Sequence, residues 1–458
     1  MSRRPLILAI VLLARFTFPL TITGSSLALP DVRAQLGAGL SATQWVVNGY
    51  NACFAGFLVF TGSLADILGK RRVYAAGLAL YCLANVVSAL AQDIVLLDVV
   101  RAIGGVGAAA AVTGGSAIIA ETFQGAARGR AFAMLGTVLG AGLAFGPTIG
   151  GLLVQALGWR AVFGVPALVA GVVLALVPLL PRGPGEPGRR IDVPGAAMFT
   201  SALLLLIFAL VEVPDLGFGH PVIVGAFGAA AVLAVAFPFV ERRRADPMFE
   251  LGLLANPRFL GYAVAAGSIV FILVPLLVYL PSYLISVAGL GAGEAGVWLL
   301  MLTGPAVVLP SVGAALARRL PSGVVVVGSV AVTGVGAFLL LAVDASSGPL
   351  AWLGPLLLTG AGMGLSTGLL DGLAISSVRP EQSGMAAGMF NTSRLATETI
   401  AIAVVGAVLA GLSDGRLAGP GYTSALHVVC LGLGIFGLLA TGCVLALSRA
   451  GRREVLPA

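Results

Sequence analysis

Charged residues make up only 10% of the 458 positions, whereas a soluble domain carries about 25%. So few charges cannot cover a water-facing surface, and 59% of the residues are hydrophobic, giving a mean hydropathy of +1.05. Lysine is almost missing: of the 26 basic residues all but Lys70 are arginine. With abundant alanine and glycine this fits a GC-rich bacterial genome, a matter of codons and not of activity. Cysteine is rare too. Cys53, Cys82, Cys430 and Cys443 all lie inside apolar runs, none in a Cys-x-x-Cys pair or beside a histidine, so neither a disulfide framework nor a metal site is expected. The two histidines, His220 and His427, have no ligand partner at useful spacing and read as surface or packing residues. A phosphate-cradling G-x-x-x-x-G-K-[ST] is missing, which argues against a self-contained ATP-driven pump. No Ser/His/Asp set or paired carboxylates gather at one membrane depth, which argues against a membrane hydrolase. The net charge of +7 has no aromatic-interleaved basic patch behind it, so no nucleic-acid partner is expected. No cofactor is expected either.

What the chain does have is long apolar runs, each near the roughly 20 residues that cross a bilayer. Six of them, over 6–29, 41–61, 73–91, 94–120, 131–153 and 161–180, precede a Gly-Pro-Gly-Glu-Pro-Gly-Arg-Arg linker at 183–190. Two more cover 194–213 and 221–240, and six others cover 260–287, 295–317, 323–343, 351–376, 385–412 and 424–447. The first run follows Arg3 and Arg4 but exceeds a signal-peptide core, so it reads as a first membrane helix. The expected fold is an all-α polytopic membrane protein. Its expected parts are a six-helix bundle over 1–182, a linker with two inserted helices over 183–250, and a second six-helix bundle over 251–458.

Charge tests the count. With the N-terminus in the cytoplasm, 20 of the 26 basic residues fall in cytoplasmic loops and only Arg33, Arg160 and Arg416 outside, the asymmetry expected of short loops. Arg189 and Arg190 before the central pair, and Arg242–Arg244 after it, both want the cytoplasm. The pair therefore crosses twice or not at all. Both runs are apolar all round, unlike an interfacial helix, which favours fourteen spans with both termini cytoplasmic; twelve spans with a surface-lying insert is the alternative. Gly-Ala-Ala-Leu-Ala-Arg-Arg at 313–319 looks like a worn copy of Gly-Ser-Leu-Ala-Asp-Ile-Leu-Gly-Lys-Arg-Arg at 62–72, so the two halves read as a parallel repeat.

Charges inside spans cost at least about 2.5–3.5 kcal/mol, and their default reading is functional. Five stand out: Arg15, Arg101, Arg394, Asp371 and Glu398. Arg101 also fits a side chain reaching out from a helix end. Arg394 and Glu398 are four apart on one helix face and can pair. Arg15 could hold an anionic group or pair with Asp371, and spacing does not choose. A carboxyl that alternates between an apolar setting and an arginine neighbour can take up and release a proton; Glu398 is the first candidate and Asp371 the second. Glu212 and Asp215, at the outer end of the first inserted run, read as solvated.

Several stretches resemble the major facilitator superfamily. The 62–72 segment is similar to that family's signature loop between helices two and three, with Gly62, Asp66, Gly69, Lys70 and Arg71 in register and Ile67 where a basic residue is usual. Arg101-Ala-Ile-Gly-Gly-Val-Gly resembles its fourth-helix motif, with Gly104 in place of a common glutamine. Gly142-Leu-Ala-Phe-Gly146-Pro147-Thr-Ile-Gly150-Gly151 matches the G-x-x-x-G-P-x-x-G-G pattern that marks antiporters in that family. Small residues spaced by four admit another backbone and proline frees a carbonyl, which suggests a rocking surface between the halves. Ala28-Leu29-Pro30, Trp45-Val-Val-Asn-Gly-Tyr50 and Glu241-Arg-Arg-Arg-Ala-Asp-Pro247 resemble its fourteen-helix drug:proton antiporter branch. Thr21 stands where that branch usually carries an acid.

The resemblance implies a major facilitator fold in a bacterial cell membrane and a secondary transporter, not an enzyme. It would export small amphipathic compounds, such as drugs, antibiotics or secondary metabolites, in exchange for protons by alternating access. The partners implied are a small-molecule substrate, protons and the lipid bilayer, with a monomeric chain. Phe16, Thr21, Trp45, Tyr50 and Asn51 are the candidate cavity residues. A proton-coupled importer and a non-transporting sensor are the alternatives; the helix-five pattern speaks against the first and the intramembrane carboxylates against the second.

Overall fold

The computed structural model describes residues 4–181, 192–244, 249–379, 382–413 and 419–453. The linker at 183–190, residues 245–248 with Asp246 and Pro247 of the expected motif, and Arg416 lie outside the described residues. Hydrocarbon offers backbone groups no water, so a spanning segment must satisfy them internally, and the described residues contain helices and no strand.

Seventeen α-helices are described. The first eight are α1 (Arg4–Leu36), α2 (Leu40–Leu68), α3 (Lys70–Leu90), α4 (Ile94–Thr122), α5 (Gly125–Leu157), α6 (Ala161–Leu176), α7 (Val193–Leu216) and α8 (Pro221–Glu241). The rest are α9 (Pro257–Ser286), α10 (Ala292–Trp298), α11 (Leu300–Thr303), α12 (Pro305–Arg319), α13 (Ser322–Leu339), α14 (Pro349–Ser366), α15 (Leu369–Ser376), α16 (Ser383–Leu412) and α17 (Pro420–Arg453). They make 14 stretches long and apolar enough to cross a membrane. Both inserted runs are among them, as Val193–Leu216 and Pro221–Glu241.

Two spans are interrupted. Ala292–Arg319 is built from α10, α11 and α12, and the last break coincides with Pro305, which has no N–H to continue the helical ladder. Pro349–Ser376 is split into α14 and α15 at Thr367–Gly368. Gly368 has φ +76°, a conformation that costs a residue with a side chain roughly 1–2 kcal/mol. The continuous helix expected over 351–376 therefore ends early, and Asp371 sits in the first turn of α15.

A second difference concerns 62–72, expected to be a short loop. Residues 62–68 complete α2, Lys70 begins α3, and Gly69 is the single residue between them, with φ +95°. Glycine makes this turn without a Cβ clash, so the joint needs one residue.

The chain divides into two compact units, Met1–Met248 and Phe249–Ala458. In the first, α2 and α3 lie on α4, α1 on α5 and α6, α3 on α6, and α7 on both α2 and α8. In the second, α12 and α13 lie on α14, α9 on α16 and α17, and α13 on α17. Helix neighbours thus recur in the same order in each unit, as a sequence repeat requires. The inserted pair belongs to the first unit. At its base the Asp192 carboxylate accepts from Gly195 N at 3.0 Å and pairs with Arg244 Nε at 3.6 Å, closing the two ends of the pair.

Helix α1 is rich in hydroxyls that fold back on their own backbone. Thr17 donates to Ala14 O, Thr21 to Thr17 O, Thr23 to Pro19 O, Ser25 to Ile22 O and Ser26 to Thr23 O, at 2.6–3.0 Å. Such back-bonding keeps hydroxyls satisfied inside an apolar medium.

Candidate functional site

Arg101, inside a span of the first unit, is 1% exposed. Its Nε donates to Val46 O at 2.9 Å, and its guanidinium carbon lies 4.2 Å from the Tyr50 ring centroid and 5.4 Å from that of Phe163. It therefore does not reach out from the helix end; it ties α4 to α2. The following glycines make the approach possible. A Cβ on Gly105 would fall 2.2 Å from Tyr50 O, and one on Gly107 would fall 2.6 Å from Tyr81 N, so α4 wedges between α2 and α3.

Thr21, Tyr50 and Asn51 are buried in the same unit. The Thr21 hydroxyl lies 2.5 Å from that of Tyr81, which also donates to Thr17 O at 3.2 Å. Thr21 thus joins α1 to α3 where the resembling branch has an acid. Phe16 is half-buried, and so is Arg15 one turn before Pro19. Trp45 is half-buried against the inserted helix α7: its Nε1 donates to Glu212 Oε1 at 2.7 Å and its ring lies 6.3 Å from that of Phe208. Glu212, expected to be solvated, is a partner of α2. Lower down, Thr200 Oγ1 donates to Gly56 O at 2.6 Å.

The glycine stripe of α5 presses on α1. A Cβ at Gly142 would meet Pro19 Cγ at 2.4 Å, at Gly146 Thr23 Oγ1 at 1.9 Å, and at Gly150 the Cα of Gly24 at 2.5 Å. Pro147 and Gly151 are buried beside them. Within the first unit the stripe packs α5 on α1. The four-residue spacing predicts close packing correctly, but it does not name the partner.

The joint at Gly69 is tied on both sides. Lys70 Nζ lies 3.2 Å from Glu121 Oε2 at the end of α4, and Arg71 Nη1 donates to Leu180 O at 3.2 Å. Gly62 is looser; the nearest atom to a Cβ there is Thr113 Cγ2 at 3.8 Å. Asp66 is half-buried in the last turn of α2.

In the second unit Glu398 is 7% exposed and has no hydrogen bond or ion pair among the described residues. Arg394, four residues earlier, turns to Asp371 Oδ1 at 3.8 Å and donates to Asn391 Oδ1 at 2.9 Å. Arg394 remains within electrostatic reach of Glu398, as helical spacing allows, but its ion pair is with Asp371 across the break at Gly368. His427 bonds Val343 O at 2.8 Å, a packing role, and His220 caps α8 through Val222 N at 3.3 Å. Among the described residues no group of three His, Cys, Asp or Glu could hold a metal ion.

Residues 11–402 match the family model described as Major Facilitator Superfamily. The chain is 31% identical over 388 residues to multidrug resistance protein Stp of Mycobacterium tuberculosis, covering 84% of this chain and 72% of that protein. It is 32% identical over 429 residues to the puromycin resistance protein pur8 of Streptomyces alboniger, covering 92% and 85%. A crystal structure of the POT family transporter PepTSo superposes with a TM-score of 0.71 at 16% identity, over 99% of this chain and 98% of that one, a likeness of fold.

Proposed function

Because the chain belongs to the major facilitator superfamily, and is thus a multi-pass membrane transporter and not an enzyme, we propose that it exports small amphipathic compounds in exchange for protons. Relatives named for multidrug and antibiotic resistance support the direction and the cargo class. The observation that carries proton coupling is Glu398: a buried carboxylate in a span, left without a donor because Arg394 is engaged by Asp371.

In this reading Glu398 takes the proton and Asp371 is the second carrier. Arg394 moves between the two carboxylates, which is how a charge can follow a proton without leaving the membrane. Arg101 and Arg15 are the remaining coupling cations. The Gly69 joint and its staples Lys70 and Arg71, with Asp66 beside them, are the conformational switch. Gly142, Gly146, Pro147, Gly150 and Gly151 bind α1 and α5 into one body that moves as a unit. Phe16 and Trp45, half-buried, are the residues offered to substrate; Thr21, Tyr50 and Asn51 position the helices behind them. Transport proceeds by alternating access in a monomer, with both termini cytoplasmic.

The test is efflux of ethidium and puromycin from expressing cells, with and without a protonophore, for wild type and Glu398→Gln. Loss of efflux in both arms is expected. Loss with the protonophore alone moves the carrier to Asp371. Efflux that survives the protonophore overturns proton antiport.

A further inference from the structure

A second set of charges lies in the first unit, where α2, α4 and α7 meet. Asp98 is in the second turn of α4, inside a membrane span. Its Oδ1 is buried and has no hydrogen-bond partner. Arg101 follows three residues later, on the same side of the helix. It is 1% exposed, and its Nη2 is also buried without a partner. An acid and a base one turn apart thus each keep an open atom, and no ion pair joins them among the described residues. Glu212 of α7 is within electrostatic reach of Asp98 and is fixed by its bond to Trp45 Nε1. Gly49 of α2 faces this meeting: a Cβ there would lie in ordinary contact, 3.7 Å from both Asp98 O and Trp45 Cε3.

We propose that Asp98 is a second proton-binding site, in the first unit, read out through Arg101. The proposal rests on the proton-antiport reading above. The charged groups in reach of Asp98 are Arg101 on its own helix and Glu212 on α7, and the phenols of Tyr50 and Tyr81 flank Arg101 from α2 and α3. One guanidinium thus faces two carboxyl groups, Asp98 and Glu212. A proton held as an O–H at Asp98 removes a negative charge from the span, where each charge is costly.

In the protonated state Arg101 rests on Val46 O and the Tyr50 face, the contacts seen in the structure. Release of the proton leaves a carboxylate one turn from the open Nη2, and the guanidinium swings toward it. The bond to Val46 O is then given up, and α4 loses its tie to α2. A proton at Asp98 thereby sets how firmly α2 is held, and through Trp45 and Glu212 it also sets the seat of α7. Asp98 binds the proton; Arg101 is a positioning residue.

The test is infrared difference spectroscopy of the purified full-length protein in lipid vesicles, between alkaline and acid pH. Wild type, Asp98→Asn, Asp98→Glu, Arg101→Lys and Glu398→Gln are compared. We expect a titrating carboxylic-acid C=O band that Asp98→Asn loses, Asp98→Glu shifts and Glu398→Gln keeps. Arg101→Lys keeps the charge but not the planar fork, so the band should stay with a moved titration midpoint. If Asp98→Asn does not fold, the shift in Asp98→Glu decides. A band set in Asp98→Asn or Asp98→Glu identical to wild type overturns the proposal. The two readings fail separately: efflux that ignores the protonophore while the Asp98 band persists removes antiport and keeps the site. Protonophore-sensitive efflux without that band does the reverse.

Discussion

Side chains that are not there decide how closely the helices of the first unit approach. Gly146→Ala places a methyl group 1.9 Å from Thr23 Oγ1, whereas Gly105→Ala places one 2.2 Å from the backbone oxygen of Tyr50. Overpacking of this kind costs roughly 1–3 kcal/mol, so both variants should melt at lower temperature in detergent. They should differ in rescue. Adding Thr23→Ala to Gly146→Ala removes the obstructing hydroxyl and should recover most of the loss. Adding Tyr50→Phe to Gly105→Ala should recover nothing, because the obstruction is main chain. Gly136→Ala, with nothing within 4 Å, should melt like wild type. The glycine stripe was legible in the sequence because its period is that of a helix face. Its partner was not, since Pro19 and Thr23 lie more than a hundred residues away and no local pattern links them to α5.

Among the elements, α7 is the one whose place most needs explaining, since a six-helix bundle is complete without it. Two side-chain bonds seat it on α2, Thr200 to Gly56 O and Trp45 to Glu212. Thr200→Val keeps the shape and removes one bond, which should lower stability by about 0.5–1.5 kcal/mol, measured as a fall in melting temperature. Adding Trp45→Phe should lower it further, roughly additively, because the two bonds sit at different depths. That α7 and α8 cross the membrane was readable from apolar length and flanking arginines. That α7 grips α2 was not: Trp45 and Glu212 are 167 residues apart, and Glu212 near a helix end looked like any solvated acid. The break at Gly368 was equally hidden, because glycine is common throughout the membrane runs of this chain, and only its positive φ distinguishes this one.

At the scale of the whole molecule, charge asymmetry gives a topology that can be checked residue by residue. In a background without the four native cysteines, Ser346→Cys in the loop after α13 should react with an impermeant maleimide on intact cells. Gln124→Cys, just before α5, should react only after permeabilisation. The opposite result would invert the orientation and with it the proposed cytoplasmic termini. The count of spans was legible because long apolar runs are the strongest signal a sequence carries, and the repeat of helix neighbours followed from the worn copy at 313–319.

The hydroxyls of α1 have a consequence for how the protein is made. This helix leaves the ribosome well before α5, the surface it finally packs on, has been synthesised. For that interval it must dwell in lipid with threonine and serine hydroxyls that nothing yet covers. Because Thr17, Thr21, Thr23, Ser25 and Ser26 each donate to a carbonyl of their own helix, none of them is an unmet donor while the helix waits. The first helix is thus equipped to be a stable solitary resident of the bilayer, and its later burial against α5 needs no exchange of hydrogen-bond partners.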